Sequence, residues 1–252
     1  MERWRIGGGA LLAAVLALAM AGCFLGGAER PPPTSIQTPK YYPFQVKGYQ
    51  GSYPQRKLMV LIPTRATDLA EPGSAPTALL RGAPEIGVVL SQSGKIVQRL
   101  YGDPLEPIVQ KAIVDSANEA GLTAAAANTA DHRPGAVAPA DYVLASKITR
   151  CWVKKRREPG SAEGPLWQTQ AEFALDIWVY KPPFSVPFWK GTSDNIYFDP
   201  PVGSFGLGSA DEAGIYEEPG QDLSVALTRA VAGIFQQREL HDLMLEDRLR
   251  SR

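Results

Sequence analysis

Residues 167–180 read WQTQAEFALDIWVY. Trp167, Thr169, Ala171, Phe173, Leu175, Ile177 and Val179 fall on one side, against Gln168, Gln170, Glu172, Ala174 and Asp176 on the other. Side chains alternate across a strand, so this period of two predicts a long strand with one face on a core and the other in water. A second apolar run, Tyr142 to Val153, precedes it, and the segment between them, KKRREPGSAEG at 154–164, is charged and turn-rich. That is the composition of an antiparallel hairpin tip. A sheet with one wet face needs cover on the other face only.

Working outward, the cover comes from two amphipathic helices. Asp103 suits an N-cap, Pro104 the first helical position and Glu106 the reach-back position of a capping box. Leu105, Ile108, Val109, Ala112, Ile113, Ser116, Ala117 and Ala120 recur at helical spacing, and Gly121 supplies a left-handed stop. Near the other end Leu223, Ala226, Leu227, Ala230, Val231, Ile234 and Phe235 mark a terminal helix expected to continue towards Leu249. The run Lys57 to Thr64, KLMVLIPT, reads as a buried strand stopped by proline. Residues 65–84 read as an irregular loop, and Ile86–Leu90 with Ile96–Val97 as a small hairpin around Ser93-Gly94. An alanine-rich connection follows the first helix, a further strand lies around Phe188 to Phe198, and a glycine-rich loop spans 200–221. The expected class is α+β: a mostly antiparallel sheet with two helices packed on one face, in the order strand, helix, strands, helix.

The amino terminus is of another kind. MERWR is followed by an uncharged apolar run from Ile6 to Ala21, too short to span a bilayer comfortably, which is the pattern of a signal peptide over residues 1–22. LAMAGC, with Ala21 and Gly22 before Cys23, resembles the lipobox of bacterial lipoproteins. The resemblance implies a thioether-linked diacylglycerol on Cys23, cleavage before it and a membrane anchor of two or three acyl chains. Such an anchor is effectively permanent, whereas one chain binds reversibly. Residues 23–56, with Pro31, Pro32 and Pro33 in a row, read as a lipidated, extended spacer able to reach on the order of 100 Å. Tyr41, Tyr42, Phe44, Tyr49 and Tyr53 are unusual for a solvated linker, and the simplest expectation is that its second half lies against the domain of residues 57–252. Of 26 Lys plus Arg and 26 Asp plus Glu, removal of residues 1–22 takes Arg3, Arg5 and Glu2, leaving a net charge of minus one. That balance supports neither nucleic acid as a partner nor an electrostatic grip on anionic lipid.

With the lipobox and proline-rich spacer ahead of it, this element order is similar to that of the YajG-like bacterial lipoproteins. It more distantly resembles the auxiliary lipoproteins of ABC transport systems and the amino-terminal domain of TolB. The local matches are the opening strand KLMVLIPTR, Ile86-Gly87 ahead of the helix, and ADYVLASKITRCWV after it. The resemblance implies a non-catalytic envelope lipoprotein with two helices on one face of a sheet.

Chemistry-bearing motifs are sparse. GxSxG, HExxH, CxxC and GxxxxGK[ST] are absent, and GSFGLGSADEAG lacks the lysine and preceding strand of a phosphate loop. The two histidines, His132 and His241, have no second ligand at metal spacing, and Asp211, Glu212, Glu217, Glu218 and Asp222 lack the spacing of a calcium loop. No catalytic, metal or cofactor residue is therefore expected. Cys151 is expected to be a buried, inert thiol, although the neighbouring cations would activate it if it faced outward. Phe184, Phe188 and Trp189 near a turn, with Phe205 and Leu207 in the glycine-rich loop, are candidate partner contacts. Together these features suggest an outer-membrane lipoprotein facing the periplasm, held by its lipid, with an envelope protein as partner and an undetermined oligomeric state. The alternatives are a hydrophobic-ligand carrier auxiliary to an ABC transporter and an envelope enzyme using Cys151.

Overall fold

The computed structural model describes residues 34–36, 39–42, 52–66, 85–90, 96–131, 138–161, 164–198, 202–203 and 219–250, all within one compact unit. Its strands are β1 Thr34–Ile36, β2 Lys57–Val60, β3 Thr64–Arg65, β4 Glu85–Leu90, β5 Ile96–Tyr101, β6 Thr123–Ala126, β7 Tyr142–Ser161, β8 Gly164–Tyr180, β9 Pro187–Phe198 and β10 Val202–Gly203. Helix α1 is Leu105–Ala120, α2 is Pro219–Ile234 and α3 is Arg238–Arg250. The architecture is α+β.

The hairpin read from WQTQAEFALDIWVY is the spine of the sheet. β7 and β8 pair antiparallel from Val143↔Tyr180 to Ser161↔Gly164, so the charged segment expected as a tip is largely part of the ladder. β9 pairs antiparallel with the far edge of β8, followed along that edge by β10 opposite Leu166 and Trp167. The other edge of β7 receives β2, β3 and β4 in succession, all parallel. β6 adds to β2 in parallel, β5 to β4 antiparallel, and β1 to β5 in parallel. The longest ladders are antiparallel, as expected, but the sheet is mixed. Parallel neighbours arise because the chain repeatedly leaves through a helix or loop and returns to the same side.

Ala171, Phe173, Leu175, Ile177 and Val179 of β8 are fully buried in the main core, as the alternation predicts. α1 contributes Leu105, Val109, Ala112, Ile113 and Ala117, and α2 contributes Leu223, Ala226, Leu227, Ala230, Val231 and Ile234. Gly121 ends α1 in the left-handed conformation at φ 107°. The helix starts differently from expectation. Pro104 is the N-cap and, with no polar side-chain atom and no N–H, makes no cap bond, while the Glu106 carboxylate is taken by Arg65 at 2.8 Å. A charge-assisted bond from a guanidinium is stronger than one from a backbone amide.

Three further differences have local causes. The run expected as one strand over 57–64 is broken at Leu61–Pro63, where Leu61 N–H donates to Leu144 O and Ile62 N–H to Thr129 O. The alanine-rich connection contains β6, set beside β2 by the turn at Gly121. The terminal helix ends at Ile234: Phe235 N–H and Gln236 N–H bond back to Ala232 O and Gly233 O, tightening the last turn, and α3 begins at Arg238. Phe235 thereby packs edge-on against Tyr53, with ring centroids 5.9 Å apart.

The expected spacer of residues 23–56 is partly built into the fold. β1 belongs to the sheet, and Lys40 N–H and Tyr42 N–H donate to Ser224 Oγ and Thr228 Oγ1 of α2 at 2.8 and 3.0 Å. Tyr41 packs on the core between these two bonds, so residues 40–42 lie along α2. Tyr53 is itself a core residue.

Candidate functional site

Each sequence candidate has a definite place or lies outside the described residues. Cys23, His132, Phe205, Leu207, Asp211, Glu212, Glu217 and Glu218 lie outside them. Trp189 is 4% exposed and belongs to the main core, its indole lying over Gly191. Phe188 is half-buried against the same core, with its ring 5.7 Å from that of Tyr142. Phe184, held at φ 62°, packs on a second, smaller cluster of Leu61, Ala127, Val143 and Tyr180 on the opposite face of the sheet. These three aromatics therefore spread over both faces. Asp222 is buried in the first turn of α2, where the positive end of the helix dipole favours a carboxylate.

Cys151 is fully buried, and the reason is a register shift. Ile148 faces Leu175 and Arg150 faces Ala174, so Thr149 is an extra residue that reverses the facing of everything after it. Tyr142, Leu144 and Ile148 point into the core before this bulge, and Cys151 and Val153 after it. Trp152, placed inward by a simple period of two, lies outside that core cluster. Burial pushes the Cys151 thiol up to about 12, outweighing the opposite pull of the Arg65 charge. At neutral pH its sulfur carries a proton, and a nucleophile needs the thiolate.

Charged groups that no local motif announces meet at the base of the sheet. Asp247 of α3 accepts from Tyr142 Oη at 2.7 Å and from Lys181 Nζ at 2.5 Å. The Lys181 ammonium lies 5.4 Å from the centroid of Phe188. Beside them Asp141 accepts from Arg56 at 3.4 Å and from Lys57 N–H at 2.8 Å. Burial raises the Asp247 carboxyl, but the bonds from Lys181 and Tyr142 and the charges of Lys181 and Arg56 outweigh it and hold the group below its ordinary range. Burial, then the Asp247 bond and charge, raise Tyr142. A general acid or base works best when it titrates near the operating pH, and these two shifts move away from neutrality. The arrangement acts as a clamp fixing α3 to the sheet. Sequence reading missed it because its members stand 66 and 105 residues apart.

His241 serves a similar end. Its ring meets Tyr53 edge-on at 5.1 Å and lies 3.3 Å from Ser52 O, tying α3 to the segment before β2. Among the described residues, no group of three or more His, Cys, Asp or Glu side chains is placed to hold a metal ion, and no helix is long and apolar enough to cross a membrane.

No family model matches the chain, and no curated protein matches it. Among solved structures, a Xanthomonas campestris protein from a family of undefined function is similar over 86% of this chain and 99% of its own, at 15% identity and a TM-score of 0.49. A Helicobacter pylori chain described as a homologue of neuraminyllactose-binding haemagglutinin covers 82% and 98%, at 11% identity and a TM-score of 0.42. A Caulobacter crescentus chain described as a lipoprotein covers 65% and 91%, at 15% identity and a TM-score of 0.29. Scores below 0.5 at such identities transfer neither ligand nor assembly to this chain.

Proposed function

We propose that this chain is an envelope lipoprotein, anchored through acyl chains on Cys23, whose folded unit binds another envelope component and catalyses nothing. The observation that carries the reading is LAMAGC behind a basic start and an uncharged run. That sequence gives Cys23 a lipidation role and leaves Cys151 as the one cysteine of the folded unit. The burial of Cys151 supports a packing role for it, and the clamp around Asp247 gives the charges beside Phe188 a role in holding α3. The anchor faces the periplasm from the outer membrane, and the partner is an envelope protein met by the exposed side of the sheet.

Metabolic labelling with palmitate tests the anchor. Label is expected on the full chain and lost in Cys23→Ala; label retained in that variant would remove the anchor. For the partner, crosslinking in native membranes is expected to give a discrete heterologous product, and recovery of the chain alone would overturn that part.

A further inference from the structure

We infer that the outer edge of β9 is a self-pairing surface, to which a second copy of this chain adds its own β9 antiparallel, about a two-fold axis through Thr192. The inference is independent of the anchor on Cys23. It starts from the direction of the backbone groups. Leu144 O accepts from Leu61 N–H, so the backbone groups of Leu144 face β2, and those of Val143, Ala145 and Lys147 face β8. Bonded and unbonded pairs alternate along an antiparallel ladder, so on β8 it is Leu175, Ile177 and Val179 that turn to β9, where they meet Ser193, Gly191 and Trp189. The N–H and C=O groups of Lys190, Thr192, Asp194 and Ile196 therefore point outward in the plane of the sheet. Among the described residues β9 pairs with β8 alone, and all four of these side chains are exposed.

Such an edge is a template for another strand, and its charges say which strand fits. Thr192 stands midway between Lys190 and Asp194. Antiparallel pairing centred on Thr192 sets Lys190 of each copy opposite Asp194 of the other, twice by symmetry, and sets the two Thr192 side chains against each other. Opposite charges and threonine pairs favour directly facing positions, and like charges there oppose pairing. An axis through Lys190 or Asp194 would place like charges face to face, and an axis one residue either side of Thr192 would leave both charges facing neutral side chains. Arg150, another cation whose field reaches Asp194, is bound to Glu172. Thr192 O accepts from Gln237 Nε2 at 2.9 Å, and a carbonyl oxygen has a second lone pair for the N–H of the other copy.

The same register gives exposed apolar groups a place. Ile196 and Phe198 are 40% and 42% exposed, and Val186, just before β9, is 72% exposed. Counted outward from Thr192, Ile196 and Phe198 come to the start of the other copy's β9, where Val186 stands. Both ends of the pairing thus remove apolar surface from water.

The test uses the full chain in membranes of the producing cells. Thr192→Cys treated with a short bifunctional maleimide is expected to give a product of twice the chain mass. The parent, whose Cys151 is buried, and Lys111→Cys, exposed on α1, are expected to lack it. In the Thr192→Cys background, Lys190→Asp sets Asp against Asp and Asp194→Lys sets Lys against Lys, and each alone should lower the yield on the order of tenfold. Produced together, these two variants restore both ion pairs between unlike chains, and the yield should return to that of Thr192→Cys. The double charge swap within one chain restores the same pairs and serves as the second variant should a single one fail to fold. A monomer alone from Thr192→Cys, undiminished yield in the single swaps, or no recovery in either the mixture or the double swap would overturn the inference. A Thr192→Cys product joined to a different protein would assign the edge to that protein's strand and also overturn it. Palmitate labelling reports on the anchor separately.

Discussion

Gly233→Ala isolates the packing of α2 on the sheet. An ideal Cβ at Gly233 would lie 2.7 Å from Ser193 Oγ of β9, and that hydroxyl donates to Ala230 O at 2.6 Å. Alanine within a helix is favoured over glycine by about 1 kcal/mol, so propensity alone predicts stabilisation. Against it, overpacking costs about 1–3 kcal/mol, and turning the hydroxyl away gives up a hydrogen bond worth about 1 kcal/mol where little water replaces it. The net expectation is a loss of about 1–3 kcal/mol, visible as a lower urea midpoint at unchanged slope. Ser193→Ala should cost about 1 kcal/mol alone. The double variant removes the obstructing oxygen, lets the new methyl occupy its place and keeps the helix gain, so it should return to within about 1 kcal/mol of the parent. The two changes then couple by about 2 kcal/mol with a compensating sign. A Gly233→Ala protein as stable as the parent, or a double variant whose loss equals the sum of the singles, would refute this close approach of helix and strand.

Asp247→Ala leaves the buried Tyr142 hydroxyl without its acceptor and should cost about 1–3 kcal/mol, with Lys181 adding little because it is partly exposed and screened. Adding Tyr142→Phe should recover part of that loss, and full additivity in urea unfolding would count against the clamp. Because the Asp247 carboxyl is lowered in the fold, its contribution is present above the ordinary carboxylate value of about 3.9 and fades as pH falls through the folded value; acid unfolding of Asp247→Asn should lack that component. Cys151 should react with a thiol reagent only after denaturation. Its folded pKa is raised to about 12 from 9.0, so its stabilising contribution is complete below pH 9.0 and disappears as pH rises through that window, a component absent from alkaline unfolding of Cys151→Ala.

Much of the fold was legible where one periodicity ran uninterrupted. β8 shows its core face in every second residue, and α1 and α2 show theirs at helical spacing, because each packs against one surface along its whole length. β7 was legible only to Ile148: one bulged residue exchanges the faces, and Thr149 resembles any other strand residue. The division between α2 and α3 was hidden because Phe235 continues the apolar stripe while its backbone has already turned. Trp189 looked like surface because proline and phenylalanine precede it, yet Gly191 leaves room for its indole to fold back into the core. Of the candidate site, the sequence yields Cys23 as the expected lipidation residue. It does not yield the Asp247 clamp, whose members come from a helix and strand ends distant in the chain.

The same reasoning changes what the near-neutral charge implies. A balance of 26 Lys plus Arg against 26 Asp plus Glu excludes a strong field from the whole molecule, but it averages over groups that the fold separates. At the base of the sheet Arg56 meets Asp141 and Lys181 meets Asp247, so cations there are matched by carboxylates within 4 Å. Screening limits surface charge to about 8–10 Å at physiological salt, so a partner responds to the charges beside it and not to the molecular sum.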